Sequence, residues 1–378
     1  MKKLVAGLLT AVALLAMSAC GADQKNTAQT SSSTKESAEV SSGASEQVYT
    51  DPKEMKESYD VVIIGAGGAG MAAAIEAKDA GLNPVILEKM PVAGGNTSKS
   101  SSGMNASETK FQKEEGIKDS NDAFYEETLK GGGGTNDKEM LRYFVDHSAD
   151  AVDWLDQNGI KLDNLTITGG MSEKRTHRPS DGSAIGGYLV EGLLNNVHER
   201  EIPIFVNADV TDIKKNGETV NEVTVHVQGE EPKEVTGKAI VVTTGGFGAS
   251  KEFIEKYRPD LADYITTNQE GSTGDGITMI EKLGGQTVDM DKIQIHPTVQ
   301  QDEGVLIGEV VRGEGAILVD QEGKRFVNEM DTRDKVSAAI TALPEKSAYL
   351  IFDQGVRDRA TAIEFYDQKG YVTTGKTM

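Results

Sequence analysis

The chain has 378 residues, 37% hydrophobic and 26% charged, with a formal net charge of −21 at pH 7. That length buries a substantial core and holds two domains, and the composition suits a soluble globular enzyme rather than a membrane bundle. The acidity excludes a nucleic-acid partner, because a phosphate backbone is repelled, and any anionic substrate would need a local cluster of Arg or His.

The first element is a targeting segment, residues 1–19. Lys2 and Lys3 precede a largely apolar run of 14 residues, Leu4 to Met17, short for a bilayer span and suited to a signal peptide. Ser18 and Ala19 lead to Cys20, the only cysteine. This resembles a bacterial lipoprotein signal, so Cys20 is the expected lipidated N-terminus of an extracytoplasmic protein anchored to the cell membrane. A buried or reactive thiol is the competing reading. A single cysteine permits no internal disulfide and no haem-attachment motif. Residues 20–56 are rich in Ser, Thr, Ala, Gln and Glu, nearly lack aromatics, and read as a disordered tether.

The globular part is expected to begin near Tyr59. Asp60-Val-Val-Ile-Ile64 reads as a buried strand and Gly65-Ala-Gly67-Gly-Ala69-Gly70 as a G-x-G-x-x-G turn. An alanine-rich helix runs to Gly81, and Pro84-Val-Ile-Leu-Glu88 is a second strand ending on an acid. Gly65 permits the tight turn, Gly67 lets backbone approach a pyrophosphate, and Gly70 lets the helix pack on the sheet. The helix N-terminus offers free N–H groups to phosphates, and Glu88 can accept from a ribose. The small-residue loop Gly94-Gly95-Asn96-Thr97-Ser98, followed by Ser100-Ser101-Ser102-Gly103-Met104-Asn105, gives donors and backbone access to a bulky ligand. That favours FAD over NAD. A flexible loop without a ligand is the alternative for this segment alone.

Residues 121–158 read as helices, two of them separated by Gly131–Gly134. Residues 185–200 read as a helix and Ile204–Val206 as a strand. Val220–Val227 and Glu234–Val242 alternate like paired strands, the second running into Thr243-Thr244-Gly245-Gly246-Phe247-Gly248, another close-approach loop. From about residue 292 shorter strands and surface helices suggest a second domain. The fold class is α/β.

Gly65–Gly70, Glu88-Lys89, Gly94-Gly95-Asn96, Gly103-Met104-Asn105, His177-Arg178-Pro179, Thr244–Phe247 and Gly274-Asp275-Gly276 together resemble the flavoprotein of the fumarate reductase and succinate dehydrogenase group. More narrowly, they resemble the flavocytochrome c type of fumarate reductase. The most specific block runs from Ile295-His296-Pro297-Thr298 through Glu309, Arg312-Gly313 and Gly323–Glu329 to Thr332-Arg333-Asp334. The resemblance implies a Rossmann-like FAD-binding domain, residues 57–291, with an inserted α+β capping domain of which residues 292–378 are an incomplete part. It implies FAD held at Gly65, Gly67, Ala69, Gly70, Glu88, Asn96, Thr97, Ser101, Ser102, Gly103, Thr244, Gly245 and Asp275. It further implies reduction of fumarate or a similar unsaturated carboxylate, with His296 on a carboxylate, Arg333 as proton donor, and Glu309 and Arg312 as its relay. Arginine normally stays protonated, so this role requires immediate reprotonation.

There are departures. Leu306 and Gly308 stand where the resembling enzymes usually carry Met and Thr, so a substrate-binding hydroxyl is absent. No haem domain precedes the tether, which implies an external electron-donor protein. The resemblance also implies a C-terminally truncated chain, inactive alone, whose continuation supplies a further His and Arg. Urocanate or another enoate is an alternative substrate. A non-catalytic flavin-carrying lipoprotein is a reading of another class. Finally, Glu39-Val-Ser-Ser42-Gly43-Ala44-Ser45 weakly resembles the motif at which flavin transferases attach FMN, which would place a covalent FMN on Ser45. A plain linker is the competing reading.

Overall fold

A computed structural model describes residues 49–376. The signal segment, Cys20 and Ser45 lie outside the described residues. In chain order the strands are β1 (Ser58–Ile64), β2 (Pro84–Leu87), β3 (Met104–Asn105), β4 (Asn164–Thr166), β5 (Thr176–Arg178), β6 (Ile204–Phe205), β7 (Ala208–Asn216), β8 (Thr219–Val227), β9 (Lys233–Val242), β10 (Ile317–Val319) and β11 (Tyr349–Ile351).

A six-stranded sheet, ordered β6-β2-β1-β9-β8-β7, organises the chain. Its first four strands are parallel, and β9, β8 and β7 continue as an antiparallel meander. Strands covered on both faces read as unbroken apolar runs, and Val61 to Ile64 is such a run. Val61 and Ile63 face one layer with Ile86 and Ile204, against Met71, Ile75, Leu193 and Val197. Val62 and Ile64 face the other with Val85, Leu87 and Phe205, against Val210, Val225 and Met279. The alternation follows the two-residue period of a strand.

The covering helices are Gly68–Asp79, which buries Gly70, Met71, Ala74 and Ile75 on one stripe, and Ile185–Glu199. The helical region 121–158 resolves into Asn121–Gly131, Lys138–Asp146 and Ser148–Gln157. A three-stranded sheet, β3-β5-β4, carries the loop after β2. It is backed by Arg175, buried in ion pairs with Asp119 at 2.7 Å and with Glu127. Later, β10 and β11 pair antiparallel. Val311, Val356 and Ile363 form one apolar cluster beside them, and Leu318, Val336 and Ile340 form another.

The tether expectation is corrected at its C-terminal end, because residues 49–56 are ordered against the sheet. The Tyr49 hydroxyl accepts from the Ala93 N–H at 2.9 Å, and Thr50 exchanges hydrogen bonds of 3.0 Å with Ile204. Their backbone groups extend the edge at β6, which composition does not encode.

Candidate active site

The turn after β1 and the end of β2 meet in a cleft of about 290 Å³, lined by Gly65, Gly67, Ala69, Glu88, Lys89, Asn96, Thr97, Thr244, Gly245 and Asp275 among others. Two glycines are required by the protein itself. Gly65 has φ 105°, and a Cβ there would lie 2.6 Å from the Thr243 carbonyl oxygen. A Cβ on Gly70 would lie 1.9 Å from the Gly65 carbonyl oxygen, so only glycine lets helix and turn touch. Gly67 differs, since its Cβ would meet no protein atom closer than 3.9 Å. The space it leaves open belongs to the cleft.

Glu88 is buried, and its carboxylate pins the turn. One oxygen accepts from the Ala66 N–H at 2.7 Å and the other from the Met90 N–H at 2.9 Å. A carboxylate oxygen has a second lone pair, which leaves acceptor capacity for a ligand hydroxyl. Thr97 accepts from the Gly68 N–H at 3.0 Å, while the N-cap residue Gly67 has no side chain to cap the helix that starts there. Asn96 donates to Asn268 at 2.6 Å and accepts from the Gln269 N–H at 2.7 Å, tying the loop to the segment before Asp275. Lys89 pairs with Asp275 across the cleft and donates to Thr273 at 2.6 Å. A helix N-terminus facing the cleft, a buried acid and a glycine that leaves its side-chain space open make a donor and acceptor set that fits a dinucleotide.

Ser101, Ser102 and Gly103 do not line this cleft. The Ser102 carbonyl accepts from the Ile185 N–H at 3.1 Å, at the start of the helix Ile185–Glu199. A Cβ on Gly103 would lie 2.4 Å from the His177 carbonyl oxygen, so that glycine serves β3–β5 packing. Ser101 points its hydroxyl to within 3.3 Å of where a Cβ on Gly308 would be.

A second cavity, of about 510 Å³, is lined by His296, Arg333, Gln294, Leu306, Tyr264 and Ile265 among others. One carboxylate organises its polar wall. Glu309 begins the helix Glu309–Gly313 and accepts from His296 Nε2 at 3.1 Å and from Arg333 Nε. An ionised carboxylate only accepts, so His296 carries a proton on Nε2. Arg333, first residue of the helix Arg333–Thr341, also donates to Gln294. Arg312 lies one turn from Glu309, with Nη2 at 4.0 Å from Oε1, and donates from Nη1 to the Glu329 carbonyl oxygen at 2.8 Å. Burial pushes the Glu309 carboxyl up, but His296 and Arg333 outweigh it and hold the group down to about 2. Burial pushes the Arg312 guanidinium down from its usual range, with Arg333 adding repulsion and Glu309 opposing it.

The structure thus gathers His296, Glu309, Arg312 and Arg333 into one connected group. The sequence reading missed Gln294, and it missed Tyr366, whose hydroxyl accepts from the Gly308 N–H at 3.1 Å. Their contacts join segments 39 and 58 residues apart, and no local spacing signals that.

Residues 60–365 match the family described as FAD binding domain. The chain is 53% identical over 321 residues to the NADH:fumarate oxidoreductase of Klebsiella pneumoniae (strain 342), covering 85% of this chain and 35% of that protein. It is 41% identical over 342 residues to the fumarate reductase (cytochrome) of Shewanella frigidimarina, covering 90% and 60% respectively. The solved structure of the open conformation of a flavocytochrome c3 fumarate reductase is similar with a TM-score of 0.76 and 37% identity, covering 86% of this chain and 58% of that one. The chain spans 35% and 60% of the lengths of the two curated relatives.

Proposed function

The chain belongs to the FAD binding domain family, in its fumarate reductase flavoprotein group, and on that premise we propose that it reduces the double bond of an unsaturated carboxylate, fumarate to succinate. The observation that carries this reading is the sharing of Glu309 by His296 and Arg333 on the wall of one cavity. The glycine turn, Glu88 and Asn96 would hold FAD, which in its reduced form would supply the hydride.

The substrate is a dianion, and the cavity meets it with the Arg333 guanidinium and with the His296 ring, whose Nε2–H is engaged with Glu309 at rest and turns to a substrate carboxylate on binding. Away from bulk water such charges act strongly on developing negative charge. Arg333 gives its proton to the carbon next to the one that receives hydride. The Glu309 carboxylate, ionised at rest and hydrogen-bonded to Arg333, then takes a proton from Arg312 and hands it to the neutral Arg333, and Arg312 is recharged from solvent. A guanidinium is a poor acid in water. Here the departing proton is replaced across the Glu309–Arg333 hydrogen bond and the 4.0 Å separation between Glu309 and Arg312, whose guanidinium burial pushes below its usual range. His296 keeps Glu309 in place until its Nε2–H turns to a substrate carboxylate.

Leu306 on the cavity wall and the missing side chain at Gly308 favour a second reading, urocanate or another enoate as substrate. Turnover of the full-length protein on fumarate and on urocanate, with reduced viologen as donor, separates the two. Preference for fumarate supports the first reading and preference for urocanate replaces it. Bound FAD with turnover on neither leaves a flavin carrier. Export and lipid anchoring at Cys20, an external electron donor, and FMN on Ser45 are proposals on residues 1–48. Cell fractionation with intact mass of the mature chain tests the anchor and the FMN.

A further inference from the structure

We propose that Arg325 and Glu329 form a positioning clamp for Arg312, and through it set the rate of proton delivery to Arg333; this rests on the relay reading given above. Arg312 is 4% exposed, yet its Nε and Nη2 have no hydrogen-bond partner among the described residues. A buried guanidinium with two silent nitrogens is oriented by whatever holds the third. That is Nη1, donating to the main-chain oxygen of Glu329 at 2.8 Å. The position of this oxygen depends in turn on the Glu329 side chain, which is 3% exposed and fully used. Its Oε1 accepts from the Leu318 N–H at 2.8 Å and from Arg325 Nε at 2.9 Å, and its Oε2 accepts from Arg325 Nη2 at 2.6 Å.

The clamp is directional. A two-point guanidinium–carboxylate contact fixes orientation as well as distance. The Leu318 contact ties it to β10, and Arg312 to the helix Glu309–Gly313, so strand and helix are registered through one residue. If Glu329 shifts, Arg312 loses its one directional anchor. Its Nη2 rests 4.0 Å from Glu309 and must close to about 3 Å for a proton to pass, an approach that loses its direction without the anchor. An exposed surface ion pair would contribute little. This one has its acid buried and its backbone oxygen on the relay, so its weight falls on rate rather than stability.

The test uses the full-length protein with FAD bound and four variants, Arg325→Gln, Arg325→Lys, Glu329→Gln and Arg333→Ala. Arg325 has a side chain 58% exposed, so its replacement leaves the fold intact even if Glu329→Gln fails to fold. The expected result for Arg325→Gln is a fall in kcat of about tenfold or more, in line with misplacing a proton-transfer group. KM and FAD retention should stay near parent values, the solvent deuterium effect on kcat should grow, and Arg325→Lys should recover part of the rate. A parent-like kcat and isotope effect in Arg325→Gln, with Arg333→Ala inactive, would overturn the clamp and leave the relay standing. Substantial turnover by Arg333→Ala would instead remove the relay reading itself.

Discussion

Glu309 is the residue on which the polar site turns, because it bonds both His296 and Arg333 and lies 4.0 Å from Arg312. Its carboxyl is held at about 2 against an ordinary 4.5. A depressed carboxyl contributes stability that is fully present above the unfolded value and is lost as pH falls through the folded one. The difference corresponds to something on the order of 3 kcal/mol. Acid unfolding of the parent should therefore steepen between roughly pH 4.5 and pH 2, and Glu309→Gln should flatten that limb. Identical acid limbs for the two would remove Glu309 from the stability account. At the other cleft, Glu88→Ala removes a buried acceptor of two backbone N–H bonds. Charge-assisted bonds contribute about 1.5–3 kcal/mol, so FAD affinity should fall at least about tenfold. Titration of the apoprotein with FAD checks this, and an unchanged affinity would discard the role.

At the scale of elements, the turn between β1 and the helix Gly68–Asp79 separates two kinds of glycine. Gly70→Ala drives a Cβ to 1.9 Å from a backbone oxygen, so helix and sheet must part. The apoprotein should melt lower, by about 1–3 kcal/mol of overpacking or more. Gly67→Ala meets nothing nearer than 3.9 Å, so the apoprotein should melt as the parent does while FAD binds weakly. Thermal melts with and without FAD read both outcomes, and equal behaviour of the two variants would refute the distinction. These glycines were legible because strand, turn, helix and acid follow one another locally. β8 and β9 were legible to within a residue by their alternation. β7 was not, because a bulge between Val210 and Asp212 breaks its period, so the buried residues are Ala208, Val210 and Ile213. The ordered segment 49–56 and the partners Gln294 and Tyr366 were likewise hidden, since each is fixed by contacts distant in sequence.

For the whole molecule, the sheet carries the dinucleotide cleft, while the segment from Gln294 to Arg333 builds the polar wall of the second cavity. Of the residues quoted for the family resemblance, Gly65, Glu88 and Asp275 line the first and His296 and Arg333 the second, while Gly103–Asn105 and His177–Pro179 line neither. On the proposed reading Arg333 protonates the substrate, and reduced FAD at the glycine cleft would provide the hydride. The most direct measurement is the rate at which fumarate reoxidises the reduced, full-length protein, compared between the parent and Arg333→Ala under anaerobic conditions. The expected result is rapid reoxidation of the parent and a variant that keeps its FAD but is slower by about 10²-fold or more, the scale of acid catalysis. Reoxidation of Arg333→Ala within about tenfold of the parent would contradict the account, because no essential acid can be removed so lightly.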